Sequence, residues 1–207
     1  MRPAAARRRL AITGCAVFAA AALWPSPAEA HLVTTGLGPI YDGISHVLMS
    51  PDDLVPILAM ALLAGLNGRP ASRRTLFTLT AAWMVGGVAG FSSGHSLVPG
   101  AAVALSFLVL GGLTAVDWRL SPRVVTVLAV VVGVVHGWLN GAGIAESQRE
   151  WLGLVGIAST VFLLVALSSA FVVSLRAAWT RIAVRVAGSW VAAIGLLMLG
   201  WSLRTGN

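Results

Sequence analysis

From residue 31 onward the chain is almost continuously apolar, broken by a few histidines and carboxylates that look like neither loop charge nor topology signals. These are His31, Asp42, His46, Asp52, Asp53, His95 and His136. Hydrophobic residues make up 57% of the sequence and charged ones only 10%. That balance excludes an ordinary soluble domain and predicts an all-α, polytopic transmembrane helical bundle. Imidazoles and carboxylates are costly beside hydrocarbon, so a cluster of them inside such a bundle points to function. Together they also form the ligand set of a divalent transition metal.

The net charge of +7 comes from arginine alone, because the chain has no lysine. Arg2, Arg7, Arg8 and Arg9 precede an apolar run over residues 10–24, and Pro25-Ser26-Pro27 ends it ahead of Ala28-Glu29-Ala30. This is the layout of a secretory signal peptide over residues 1–30, with cleavage expected after Ala30 and His31 as the new terminus. An uncleaved first span is the alternative. The single cysteine, Cys15, lies inside the signal, where Ile12-Thr13-Gly14-Cys15 has a weak likeness to a lipoprotein site. A mature chain without a thiol excludes disulfides and thiolate metal sites.

Six spans fit residues 31–207, at about 51–66, 76–91, 101–116, 124–139, 152–175 and 182–203. Arg69, Arg73 and Arg74 fall after the first, Arg119 and Arg123 after the third, and Arg176, Arg181 and Arg185 around the fifth connection. The other side carries only Arg149 and Arg204. The positive-inside bias therefore predicts both mature termini outside, in a bacterial inner membrane. Trp118, Trp138, Trp151, Trp179 and Trp201 suit interfacial anchors, and Gly86/Gly90, Gly133/Gly137 and Gly137/Gly141 suit close helix contacts.

With that orientation all four histidines lie toward the outer mouth. His136 is 14 residues past Pro122, which is roughly 20 Å along its span. Ser50-Pro51-Asp52-Asp53 reads equally as a helix start, with serine as cap and acids in the first turn. Asp42 and His46, four apart, share a helix face. A helix running through residue 51 would align Asp42, His46 and Asp53 in one stripe and turn Asp52 elsewhere, but Pro51 favours a break at Ser50. His95 reads also as a loop residue, and His136 also as a structural hydrogen-bonding group between helices.

His46-Val47-Leu48-Met49-Ser50-Pro51-Asp52-Asp53, followed by Leu58-Ala59-Met60, resembles the early His-x5-Asp-His motif of the HupE/UreJ family. His46 and Asp52 match that motif, and Asp53 stands at its second histidine. His136-Gly137-Trp138-Leu139-Asn140-Gly141 resembles a later His-Gly-x-x-His-Gly motif, with Asn140 at the second histidine. The family comprises hydrogenase and urease accessory membrane proteins regarded as nickel or cobalt permeases. The resemblance implies a core site of His46, Asp52 and His136, with Asp53 and Asn140 as auxiliary oxygen ligands and Asp42, His95 and His31 as looser outer groups. It implies no resident cofactor, with nickel or cobalt as transported substrate, although the two oxygen-bearing replacements shift the balance toward harder cations.

The leading expectation is thus a permease rather than an enzyme. Its partners would be the metal ion and membrane lipid, with no nucleic acid. A second copy of the chain or a metalloenzyme-maturation partner is a further candidate. Three other readings compete. Gly90-Phe91-Ser92-Ser93-Gly94 fits a nucleophile-elbow pattern, but that needs a strand-to-helix turn. His95 and His136 could be haem ligands. A non-transporting accessory subunit is the third.

Overall fold

The computed structural model describes residues 35–205, Leu97 excepted. The expected signal peptide over residues 1–30, its cleavage site and His31 therefore lie outside the described residues. Within them the protein is all-helical: α1 (Pro39–Met49), α2 (Pro51–Leu66), α3 (Arg69–Ser93), α4 (Gly100–Val116), α5 (Pro122–Glu146), α6 (Gly153–Ser174) and α7 (Ala178–Thr205). Proline stands at the first or second position of α1, α2, α3 and α5. There its missing N–H costs nothing and its fixed φ suits a helix start. Gly94, with φ of 70°, ends α3 in the left-handed conformation and donates its N–H to Gly90, a turn that glycine adopts without strain.

The six expected spans correspond to α2 through α7, and α1 is an additional helix. By length and composition α3, α5, α6 and α7 are long and apolar enough to cross a membrane. A fifth crossing is available if α1 and α2 form one broken span, bent by 74° at Ser50. Helix α4 is apolar but only 17 residues long. The count on these criteria is therefore four to five among the described residues, against the six expected.

The largest contact is between α3 and α5, which run in the same direction. Glycines make it close: a Cβ on Gly137 would strike the carbonyl oxygen of Trp83, and one on Gly141 that of Gly87. Small residues are what let two backbones approach so nearly. Helix α6 lies against α1, α2 and α3, while α7 attaches chiefly to α4. The core runs along α2, with Ile57, Met60, Ala61 and Ala64 buried against Leu79, Trp83, Val132 and Ile157. Exposed Trp118, Trp151, Trp179 and Trp201 lie near helix ends, where an amphipathic ring suits the membrane boundary.

Candidate cation site

The break at Ser50 shapes the site. Pro51 starts α2 afresh, and Asp53 in its first turn shares the buried stripe of Ile57, Met60 and Ala64 at helical spacing. Asp53 is 5% exposed, whereas its neighbour Asp52 is exposed. Ser50 occupies the cap position but makes no side-chain cap bond. Its Oγ lies 3.4 Å from His46 Nδ1 instead. The bend lets the last turn of α1 present His46 to the carboxylate that opens α2.

Asp53 is the hub. His46 Nε2 lies 3.3 Å from Oδ2, and His136 Nδ1 lies 3.3 Å from Oδ1. Asn140 donates from Nδ2 to Oδ2 at 2.8 Å. His136 and Asn140 stand four residues apart on α5, so both project from one face. The imidazole contacts are longer than the roughly 2.7–2.9 Å usual for charge-assisted bonds, so the carboxylate is supported without being tightly locked.

A second ring of groups fixes these four. The Trp83 indole stacks on the His136 imidazole, with centroids 5.4 Å apart and planes 29° from parallel. Its Nε1–H donates to Asn140 Oδ1 at 3.0 Å, so both polar ends of that amide are engaged. Trp83 and His136 each lie 14 residues beyond the first residue of their helices, and the glycine crossing brings those equal depths together. From α4, Ser106 Oγ lies 3.0 Å from His136 Nε2 and donates to the Val103 carbonyl at 2.7 Å. The hydroxyl has one proton: with it on the Val103 carbonyl, Oγ accepts from a protonated Nε2, and a bare Nε2 competes with that carbonyl for it.

Of the residues expected in the site, His46, Asp53, His136 and Asn140 come together. Asp52, expected in its core, is turned away from the hub. Asp42 belongs to a separate cluster, where it accepts from Thr35 N and Oγ1 at 2.6 and 2.7 Å and pairs with Arg149 at 3.6 Å. His95 sits in the exposed turn after α3, with Nδ1 2.7 Å from the Ser93 carbonyl. Trp83 and Ser106 escaped the sequence reading. The signal for Trp83 was its place in mid-span, away from the interfaces assigned to Trp118, Trp138, Trp151, Trp179 and Trp201, since a buried indole N–H needs a partner. Ser106 gave no signal, as a hydroxyl within a helix ordinarily bonds to its own turn.

The competing site readings meet the same geometry. Ser92 and Ser93 lie on the last turn of α3, where Ser92 donates to the Val88 carbonyl at 2.8 Å. That is a helix end, not a strand-to-helix elbow. Among the described residues, no group of three or more His, Cys, Asp or Glu side chains is arranged to hold a metal ion. The two imidazoles reach opposite oxygens of one carboxylate rather than a shared point. The cluster is a hydrogen-bonded chain of nitrogen- and oxygen-bearing side chains, buried at Asp53, His136 and Asn140 and half-buried at His46.

A family model described as HupE / UreJ protein matches residues 19–198. No curated protein and no solved structure matches the chain.

Proposed function

The chain belongs to the HupE/UreJ family of multi-pass membrane proteins, associated with nickel or cobalt accessory or transport function, and on that footing we propose that it is a permease for a divalent transition-metal cation. Nickel or cobalt enters from the periplasmic side, with both mature termini on that side. The observation carrying this reading is the buried Asp53 carboxylate held between His46 and His136 and braced by Asn140. An ionisable trio inside a bundle of apolar helices is costly to bury, and such groups characteristically mark ion pathways.

In this mechanism the cation meets Asp53 first, because a carboxylate supplies the attraction that neutral imidazoles lack. His46 and His136 then exchange their hydrogen bonds to Asp53 for bonds to the ion, which neutral ring nitrogens suit. The bend at Ser50 is where His46 can follow the ion. Asn140 supplies a carbonyl oxygen if its amide turns from Trp83. An inside-negative potential favours inward movement by roughly 2.3 kcal/mol per charge per 100 mV. The accessory reading retains one supporting observation, namely that the four side chains are already bonded to one another.

Uptake of nickel and cobalt by cells expressing the protein tests the proposal. Asp53→Asn should lower uptake by about 100-fold, the upper end for losing even a supporting group at a metal site. Asp52→Asn should change it less than about twofold, as for a surface substitution. Equal uptake with Asp53→Asn and with the unaltered protein, at matched membrane levels, refutes the permease reading.

A further inference from the structure

The arginine-rich end of the bundle holds a cavity of about 440 Å³ that the cation site does not use. It opens between the beginning of α3 and the end of α6. Arg69, Arg73 and Ser174 line it at the helix ends, and Leu76, Ala166 and Ala170 line it toward the middle of the bundle. On that deeper side Phe77 of α3 and Phe162 of α6 meet across the two helices, with centroids 6.2 Å apart. The charged side chains thus sit at one end of the cavity and mostly apolar ones, with Ser169 among them, toward the other, which is the order of a phospholipid along its own length.

Its charge is one-sided. Arg69 and Arg73 are one helical turn apart and exposed, and no carboxylate lines the cavity. Asp117, the acid at this end among the described residues, is held by Arg181 through bonds of 2.6 and 2.7 Å. The Ser174 hydroxyl donates to the Phe171 carbonyl at 2.7 Å and that of Ser72 to the Gly68 carbonyl at 3.2 Å, so the charged donors for a ligand are the guanidinium groups. Those forks match the oxygens of a phosphodiester. An arginine that only fixes topology needs no apolar groove beneath it.

We infer that this cavity binds one anionic phospholipid, its phosphate between Arg69 and Arg73 and an acyl chain along Leu76, Ala166 and Ala170. Basic pockets between transmembrane helices hold such headgroups through this combination of charge and shape. The site stands independently of metal transport, since none of its residues belongs to the Asp53 cluster.

Native mass spectrometry of the full chain, released from micelles containing phosphatidylglycerol and phosphatidylcholine with identical acyl chains, tests the inference. One phosphatidylglycerol should stay bound, and phosphatidylcholine should not. Arg69→Gln and Arg73→Gln should each lower retention by about fivefold, from the loss of one basic side chain near an anionic headgroup. Ala170→Trp should lower it as much while leaving every charge in place, and Arg123→Gln should not. Ala170→Leu serves if the tryptophan prevents folding, which circular dichroism reports. Equal retention of the two lipids overturns the site, and so does full retention in the folded groove-filling variant, which would mark diffuse surface attraction.

Discussion

Among the helix crossings that rest on small residues, α3–α5 and α4–α7 differ in what they carry, and only the first assembles a buried polar site. At the α3–α5 crossing, Gly137 lies against the Trp83 backbone and Gly141 against that of Gly87. At the α4–α7 crossing, Gly111 lies against Ala192, and Gly188 against Thr114 and Ala115. The first crossing lies inside the bundle, with 44% of the apolar stretch of α5 buried, and the second is peripheral, with 17% of α7 buried. Close glycine contact is thus a way of joining helices, not a mark of function. The α3–α5 crossing differs in the depth at which it stacks an indole on an imidazole and carries His136 and Asn140 to Asp53. The α4–α7 crossing joins polar groups at its end, through Asp117 and Arg181.

One methyl group added to each crossing separates their roles most directly. Gly137→Ala places a Cβ against the Trp83 carbonyl oxygen, which is backbone and cannot rotate away. Overpacking of this kind costs about 1–3 kcal/mol, and the displacement falls on the Trp83–His136 stack. Thermal unfolding in detergent should shift downward, and metal uptake should be lost with it. Gly188→Ala meets Ala115 N at 2.8 Å and should destabilise by a similar amount while leaving uptake in place. If both variants lose uptake equally, the α4–α7 crossing is part of the site and the contrast fails.

Much of this was readable from the sequence, and the exceptions have physical reasons. Six of the seven helices follow from apolar run length, and Pro51 marks the start of α2, whereas α3 begins at Arg69, well ahead of the expected start at about 76. His136 stood out because an imidazole amid valines has few structural uses. Helix α1 did not, since the break at Pro51 separates it from the first apolar run and its 11 residues are too few to span. Motif matching placed Asp52 in the core of the site and Asp53 beside it, and said nothing of burial; the 74° bend and the new helix register decide that Asp53 faces inward. Trp83 and Ser106 are contacts of three-dimensional register. Their roles depend on which residues of α5 arrive at the same depth, and one helix's sequence does not contain that information.

A smaller effect is expected at Trp83. Trp83→Phe keeps an aromatic face for His136 but removes the Nε1–H that Asn140 Oδ1 accepts. The amide is 7% exposed, and a buried acceptor left without a donor costs about 1–3 kcal/mol. Stability should fall within that range, and uptake should fall less than with Asp53→Asn, since Asn140 still donates to the carboxylate. Trp190→Phe, on the exposed α7, should change neither. A Trp83→Phe variant indistinguishable from the unaltered protein in both measurements would mean that the indole bond does not support the site.

The smallest effect is expected at the Asp117–Arg181 pair that closes the α4–α7 crossing. The geometry is favourable: Arg181 donates from Nε and Nη2 to the two carboxylate oxygens, and Asp117 ends α4 with a left-handed φ of 57°. Against that, the Arg181 side chain is 45% exposed, where water and salt weaken the attraction. Exposed pairs are generally worth about 0–1 kcal/mol, and a two-pronged arginine contact belongs near the upper end. A double-mutant cycle with Asp117→Asn and Arg181→Gln, read by thermal unfolding, should give a coupling within that range that shrinks as salt is raised. Uptake should be unchanged in both single variants. A coupling well above that range, insensitive to salt, would show that the pair is shielded from water. The α4–α7 crossing would then be as buried in the membrane-embedded protein as the α3–α5 one, and the difference between the two crossings would reduce to the polar residues they carry.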